Sequence, residues 1–394
     1  MIRLGDMITR AARLAGDVPA LRSGATSLNW RTLEDRCWRL ARGLIGLGVR
    51  PGDRVAFLGF NSHRHFELYY APSRIGAISV PVNFRYAPHE MAGVLADCAR
   101  KVLFADSAHW ELARQVQRET GIAFLIHADD GPVPEGAAAS HDALADASGN
   151  GREDGEDIRA LGSADGDVAM LFYTGGTTGR PKGVMLSHTA LFTNSLGAIP
   201  IYGFRDREAQ LLSGPMFHLG SGSRVFTAPL LQNLTVIVPR FEPALAMQTI
   251  EAHRIAAVQM VPTMLQMLLD HPDFGRHDLS SLRLVSYGAA VMPQALLARV
   301  MEALPGISFC QAFGMTECAP VVTALPPAEH YPGSKTLGTI GTPVRHVDLR
   351  IVDDAGHDVP RGTTGEIIVR GPNVMNGYWN QPELSAQALR GGWY

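Results

Sequence analysis

The chain's most chemically pointed feature is a run of small hydroxyl and glycine residues ending in lysine: Tyr173-Thr174-Gly175-Gly176-Thr177-Thr178-Gly179-Arg180-Pro181-Lys182-Gly183. Three glycines and three threonines from Thr174 to Gly179 let successive backbone N–H groups turn inward on an anion. The Thr hydroxyls add donors, and Lys182 brings a mobile positive charge. Phosphate is the ligand this composition suits. The apolar run 167–173 before it reads as a buried strand, so the loop sits at a strand's carboxyl end, where open α/β sheets bind ligands. Its spacing fits neither the Walker P-loop, which needs Gly, four residues and then Gly-Lys-Ser/Thr, nor the GxGxxG of a dinucleotide fold. A Gly/Thr-rich surface loop has the same composition, so the assignment depends on what accompanies it.

Three further strings accompany it. Gln311-Ala312-Phe313-Gly314-Met315-Thr316-Glu317 follows a strand-like 307–310 and so also sits at a strand end. Phe313 can stack on a purine, Gly314 permits close backbone approach, Thr316 can donate to a phosphate oxygen, and the Glu317 carboxylate can hold magnesium. The same residues also fit a helix start with Thr316 as cap and Glu317 in its first turn. Ser286-Tyr287-Gly288-Ala289-Ala290 leaves open space with small residues, or makes a tight strand-to-helix turn ahead of Pro293. Pro215-Met216-Phe217-His218-Leu219-Gly220 contributes a lone His, a residue that is more often structural than chemical.

In order, these strings resemble the signatures of the acyl- and aryl-CoA synthetase, luciferase and peptide-synthetase adenylation superfamily, most of all its fatty acyl-CoA ligases. The segments 365–372 and 377–383 add to the likeness. The motifs that carry it span 173–394, while 1–165 match mainly in element order. The resemblance implies an AMP-forming acid–thiol ligase that uses ATP, Mg2+ and coenzyme A. A carboxylate attacks the α-phosphate, pyrophosphate leaves, and the coenzyme A thiol captures the acyl-adenylate.

By the resemblance, Thr174, Gly175, Gly176, Thr177, Thr178, Gly179 and Lys182 hold the β- and γ-phosphates. Gly288, Ala289 and Ala290 run between adenine and acyl pocket, and Gln311, Ala312, Phe313, Gly314, Met315 and Thr316 face the nucleotide. Thr316 goes to the α-phosphate and Glu317 to the metal. His218 lies beside the carboxylate tunnel, orienting substrate or gating the pocket. It is no general base, since a carboxylate is already ionised at neutral pH. Lys182, His218, Thr316 and Glu317 form the expected catalytic set. The chain departs from the family at Gly175, where Ser is usual, and at Phe313, where Tyr is usual.

An amino-acid substrate is disfavoured, because peptide-synthetase domains carry an Asp where His218 stands. A medium or long fatty acid is the expected substrate, with a coumarate- or ferulate-like aryl acid as the alternative. In the family the run at 391–394 continues into a Thr-Gly-Asp, a hinge and a small C-terminal domain carrying a catalytic Lys. The chain is accordingly expected to be the large N-terminal domain alone, binding its ligands but turning over poorly, or acting as a nucleotide-binding module without catalysis.

Strand ends are needed to carry these strings. Short apolar runs alternate with amphipathic segments, giving strands over 54–58, 77–80 and 101–104 and helices over 63–75 and 88–98. The alternation resumes with strands over 234–238, 257–261 and 282–286 and helices over 243–253 and 262–269. This predicts an α/β fold of two mostly parallel sheets with helices on both sides. From about 326, strand-like 346–352 and 365–370 are separated by turns alone, which suggests a small β-barrel-like subdomain. The expected regions are 1–165, 166–325 and 326–394. Segment 129–167, with eleven acidic residues against Arg152 and Arg159, reads as a solvated connector.

A 46% hydrophobic content over 394 residues is enough for a sizeable core. With 35 basic and 38 acidic residues and no long basic run, nucleic acid is not an expected partner; small molecules are, and a homodimer is compatible. Cys37, Cys98, Cys310 and Cys318 show no CxxC spacing and suit a reducing cytoplasm. Charges run through the first ten residues and no apolar run reaches ~18 residues, so neither export nor membrane spanning is expected. No Gly-x-Ser-x-Gly elbow occurs, which excludes an α/β-hydrolase.

Overall fold

A computed structural model describes residues 3–98, 101–146, 164–175 and 181–394. The chain opens with a hairpin, β1 (Pro19–Ser23) and β2 (Thr26–Asn29). A βα succession follows through β3 (Arg54–Leu58), β4 (Ile78–Val82), β5 (Val102–Ala105), β6 (Phe124–His127) and β7 (Ala139–Ser140). A second hairpin, β8 (Val168–Thr174) and β9 (Lys182–Ser187), flanks the Gly/Thr-rich loop. Then come β10 (Ala209–Leu212), β11 (Leu234–Ile237), β12 (Ala257–Met260), β13 (Leu284–Gly288), β14 (Ser308–Gly314), β15 (Val321–Leu325) and β16 (Thr342–Pro343). The last strands are β17 (Asp348–Val352), β18 (Glu366–Arg370) and β19 (Gly377–Tyr378).

Two large sheets result, mostly parallel, with helices layered against them. One has the order β19-β9-β8-β4-β3-β5-β6-β7 and the other β16-β15-β14-β13-β12-β10-β11-β1-β2. Strands β17 and β18 make a separate antiparallel pair. Every residue of β4 and β5 is buried, as a parallel strand covered on both faces requires; β5 is apolar throughout, and the one polar side chain of β4, Ser79, donates to the Leu68 carbonyl at 2.6 Å. In the second half, helices Pro243–His253, Pro262–Leu269 and Gln294–Ala303 pack Ile250, Leu265 and Val300 against Val236, Val285 and Phe309 of the sheet. The first two begin with proline, whose missing N–H costs nothing at a helix start.

Sheet membership does not follow chain order. The opening hairpin β1–β2 joins the second sheet through a parallel pairing of β1 with β11, while β8 and β9 join the first through β4. The Gly/Thr-rich string therefore hangs from one sheet, and Gln311–Gly314 belongs to the other.

Two local expectations change. Gln311-Ala312-Phe313-Gly314 does not follow its strand but is the end of it: all four pair with β15, and Gln311 and Ala312 also pair with β13. Backbone pairing on both sides prolongs β14 past the apolar run that marked it in sequence. In the acidic segment, 139–146 is not connector but strand β7 and helix His141–Asp146. Asp142 accepts from Arg36 at 2.7 Å and from Arg64 at 2.6 Å, and Arg36 also binds the fully buried Glu67 at 2.6 Å. Residues 147–163, with Arg152 and Arg159, lie outside the described residues. All four cysteines are buried, and none forms a disulfide with another described residue.

Several imidazoles are held neutral. Burial lowers His65 to about 3, and its ring stacks on Phe57 at 4.1 Å with neither nitrogen hydrogen-bonded among the described residues. Burial is also the largest cause that takes His63 and His188 to about 4. For a histidine whose folded value lies below its unfolded one, the unfolded chain takes up the extra proton. Stability is then unaffected well above the ordinary value and falls as pH drops below it. Urea unfolding should therefore give lower stability at pH 5 than at pH 7.5. His65→Phe should shrink that difference by about 2 kcal/mol, one proton's share over the interval; an unchanged difference would contradict this account of His65.

Candidate active site

The hairpin β8–β9 sets Thr174 directly opposite Lys182. Apart from its chain neighbours, no described residue comes within 4 Å of where a Gly175 side chain would begin, while Gly176, Thr177, Thr178 and Gly179 lie outside the described residues. On the far side of β9, strand β19 pairs antiparallel with Tyr378 opposite Val184, and Trp379 N–H donates to the Gly183 carbonyl at 2.7 Å. This docking puts the Tyr378 ring 5.4 Å from the Lys182 ammonium. The Tyr378 hydroxyl donates to Glu317 Oε1 at 3.0 Å. The two strings, on different sheets, thus meet at one tyrosine.

Glu317 lies on a single tight turn, Thr316–Cys318, rather than at the start of an α-helix, and Thr316 caps nothing. That turn is fixed from two directions. Met375 N–H donates to the Glu317 carbonyl at 2.8 Å and the Asn373 amide to the Cys318 carbonyl at 2.8 Å. The Asn194 amide, from helix His188–Tyr202, reaches the Cys318 carbonyl at 3.1 Å and the Val321 carbonyl at 2.8 Å. Helix His188–Tyr202 follows β9 directly, capped by Ser187, so the element that ends the phosphate hairpin also holds the Glu317 turn.

Beside this junction opens a cavity of about 810 Å3. Gly288, Ala289, Ala312, Phe313, Gly314, Met315, Thr316 and His218 line it. Two glycines let its floor close up: a Cβ on Gly288 would run into the Ala312 carbonyl oxygen, and one on Gly314 into that of Pro320. Phe60, Phe84, Phe241, Met264 and Met267 supply apolar wall. Lys182, Glu317, Thr174, Gly175, Ala290 and Gln311 are not among the lining residues; Ala290 is exposed, and Gln311 has a buried Oε1 with no partner among the described residues.

His218 precedes helix Leu219–Gly222, and its carbonyl accepts from Gly222 N–H at 2.8 Å. Burial first, then the Arg85 charge, hold its imidazole below the ordinary value, so it is neutral at pH 7 and meets an acid as a dipole. Among the described residues no group of three His, Cys, Asp or Glu could hold a metal unaided, and no helix is long and apolar enough to cross a membrane.

Residue-by-residue reading missed Tyr378, although its string was noted. It also missed Asn194 and the cavity-mouth cations Arg85 and Arg240, which stand near Phe84 and Phe60. Arg85 adjoins Phe84, and that Phe–Arg adjacency was the only local signal.

Segments that follow strands of both α/β sheets border one cavity, the kind of place where open α/β sheets bind ligands. The chain belongs to the AMP-binding enzyme family, whose model matches residues 8–379. It is 37% identical over 392 residues to a feruloyl-CoA synthase of Amycolatopsis sp, covering 99% of this chain and 74% of the relative. It is 34% identical over 396 residues to an indoleacetate–CoA ligase of Aromatoleum aromaticum, covering 100% and 75%. Among solved structures, the amide bond synthetase McbA from Marinactinospora thermotolerans is similar with a TM-score of 0.86 and 30% identity, over 98% of this chain and 75% of that one. Superfamily and fold are as the motifs implied; the fatty acyl subgroup is not what these relatives represent.

Gly314→Ala is expected to cost about 1–3 kcal/mol in urea unfolding, because a methyl group would displace backbone rather than a flexible side chain. Undiminished stability would contradict the close approach to Pro320.

Proposed function

We propose that this chain carries the adenylating site of an ATP-dependent acid–coenzyme A ligase. The observation that carries the proposal is the meeting of Lys182 and Glu317 at Tyr378, beside a cavity lined by Gly288, Phe313, Gly314 and Thr316. The chemistry requires one anion to attack another. A carboxylate oxygen bonds to the α-phosphorus as the bond to pyrophosphate breaks, so the site must neutralise phosphate charge ahead of the reaction. Lys182 and the hairpin loop take the β- and γ-phosphates. The Thr316 hydroxyl donates to the α-phosphate, and the Phe313 ring gives adenine a stacking face. His218, being neutral, orients the incoming carboxylate. In the second half-reaction the coenzyme A sulfur bonds to the acyl carbon and AMP leaves.

Glu317 suits magnesium, which is held by one or two carboxylates together with substrate phosphates rather than by an all-protein cage. Bound there, the ion would offset phosphate charge. Tyr378 fixes Oε1 of that carboxylate.

For the acid, the balance moves from a fatty chain to an aryl or arylalkyl acid. Aromatic and methionine walls suit a flat ring. Tyr202, Ser223 and Gln259 line the same cavity, so it also has a polar stretch that a long alkyl tail would leave unanswered. The feruloyl- and indoleacetate-ligase relatives agree with this choice.

Acid-dependent pyrophosphate exchange tests the proposal. Lys182→Ala and Glu317→Ala should each lower exchange by about 100-fold or more, and cinnamate- or indole-type acids should outperform decanoate. Exchange indifferent to both substitutions would remove the assignment of the site, and a preference for decanoate would restore the fatty-acid choice.

A further inference from the structure

Against the large cavity lies a small one of about 20 Å3, enough for one water-sized polar atom. The two share Tyr202, Ser223, Gln259 and Val321, and the small one reaches Arg224. Arg224 opens helix Arg224–Leu231 and is only 4% exposed. Its Nη2 donates to Ser286 Oγ at 2.8 Å, the single side-chain hydrogen bond it makes to a described residue. Its guanidinium lies 4.0 Å from the Phe204 ring and 5.7 Å from Tyr202. Among the described residues no carboxylate pairs with it.

Buried cations are ordinarily paired, because leaving water costs far more than ring contacts return. Nearby polar groups are committed elsewhere. The Asn194 amide binds the Cys318 and Val321 carbonyls, and the Gln210 amide binds Thr235 Oγ1 and the carbonyl of Arg224 itself. Burial lowers the guanidinium to about 10, so it stays charged at neutral pH. The guanidinium therefore keeps donors that the described protein does not satisfy, next to the cavity proposed for the acid.

Resting on the acid-ligase reading, we propose that Arg224 is a specificity-determining residue that recognises an oxygen acceptor at the far end of the acid. The substrate is then a rigid acid with a polar tip, either a neutral hydroxyl or ether or a second carboxylate. An unsubstituted ring or alkyl end would press apolar surface against unsatisfied donors and be rejected, as sites built for a hydrogen bond reject ligands lacking it.

The test is calorimetric binding of hydrolysis-resistant acyl-sulfamoyl adenosines made from cinnamate, para-hydroxycinnamate and para-carboxycinnamate, with sulfamoyl adenosine as reference. The native chain should bind at least one polar-tipped analogue about tenfold or more tighter than the cinnamate one. The hydroxy and carboxy arms tell a neutral tip from an anionic one. Arg224→Met should abolish the preference while leaving sulfamoyl adenosine affinity within about twofold, and Arg224→Lys, which keeps the charge without the planar fork, should retain part of it. Equal binding of all three by the native chain, or a preference that survives Arg224→Met, would overturn the role of Arg224. If no acyl analogue bound better than sulfamoyl adenosine, the acid-ligase reading itself would fall, and this inference with it.

Discussion

The hydroxyl of Tyr378 lies at the junction between the β8–β9 hairpin on one sheet and the Glu317 turn on the other. Lys182 ends the Gly/Thr-rich loop on one sheet, Glu317 sits on a turn beyond the edge of the other, and the tyrosine ring lies near the first while its hydroxyl holds the second. Most of the surrounding construction serves this junction. Strand β19 docks on β9 to place the ring, Met375 and Asn373 fix the turn as the chain approaches β19, and Asn194 fixes it from the helix that follows β9. A nucleotide gripped at both ends needs its two anchors held at a fixed separation, and backbone pairing with short side-chain bonds supplies that rigidity better than exposed ion pairs would.

The architecture was largely legible, because it rests on local signals. Helices 243–253 and 262–269 carry proline at the first position and apolar residues at helical spacing, and both were delimited correctly. Buried parallel strands show as short, mostly apolar runs. The small residues of the nucleotide strings identified the cavity floor, since Gly288 and Gly314 are places where only glycine fits against a neighbouring carbonyl. What was not legible depends on partners far away in sequence. Nothing in 19–29 says that it pairs with 234–237, and Gln311–Gly314 is strand because β15 pairs along all four residues and β13 along the first two. Asp142 looked like one more solvated acid until Arg36 and Arg64 closed on it. Tyr378 and Glu317 are 61 positions apart, and the register of β19 on β9, with Met375 and Asn373 bound to the Glu317 turn, brings them into contact.

The acid end of the site follows a different logic from the nucleotide end. Phosphate recognition uses backbone and small residues, so its sequence signature survives as a motif. Acid recognition depends on which side chains a helix happens to turn inward. A helix begins at Arg224, and a charged residue at a helix start is usually solvated. Its burial against Phe204 and Ser286 is a tertiary fact. The fatty-acid expectation rested on overall likeness to fatty acyl-CoA ligases, and such likeness carries no information on which side chains face the cavity.

The account stands on Lys182 and Glu317 acting on one triphosphate. A double-mutant cycle on magnesium–ATP affinity, using Lys182→Ala, Glu317→Ala and the double variant, measures that directly. Two anchors sharing one ligand and one tyrosine should couple by about 1 kcal/mol or more, whereas independent sites would add within about 0.3–0.5 kcal/mol. Simple additivity, or loss of affinity in neither single variant, would contradict the convergence on which the proposed function is built.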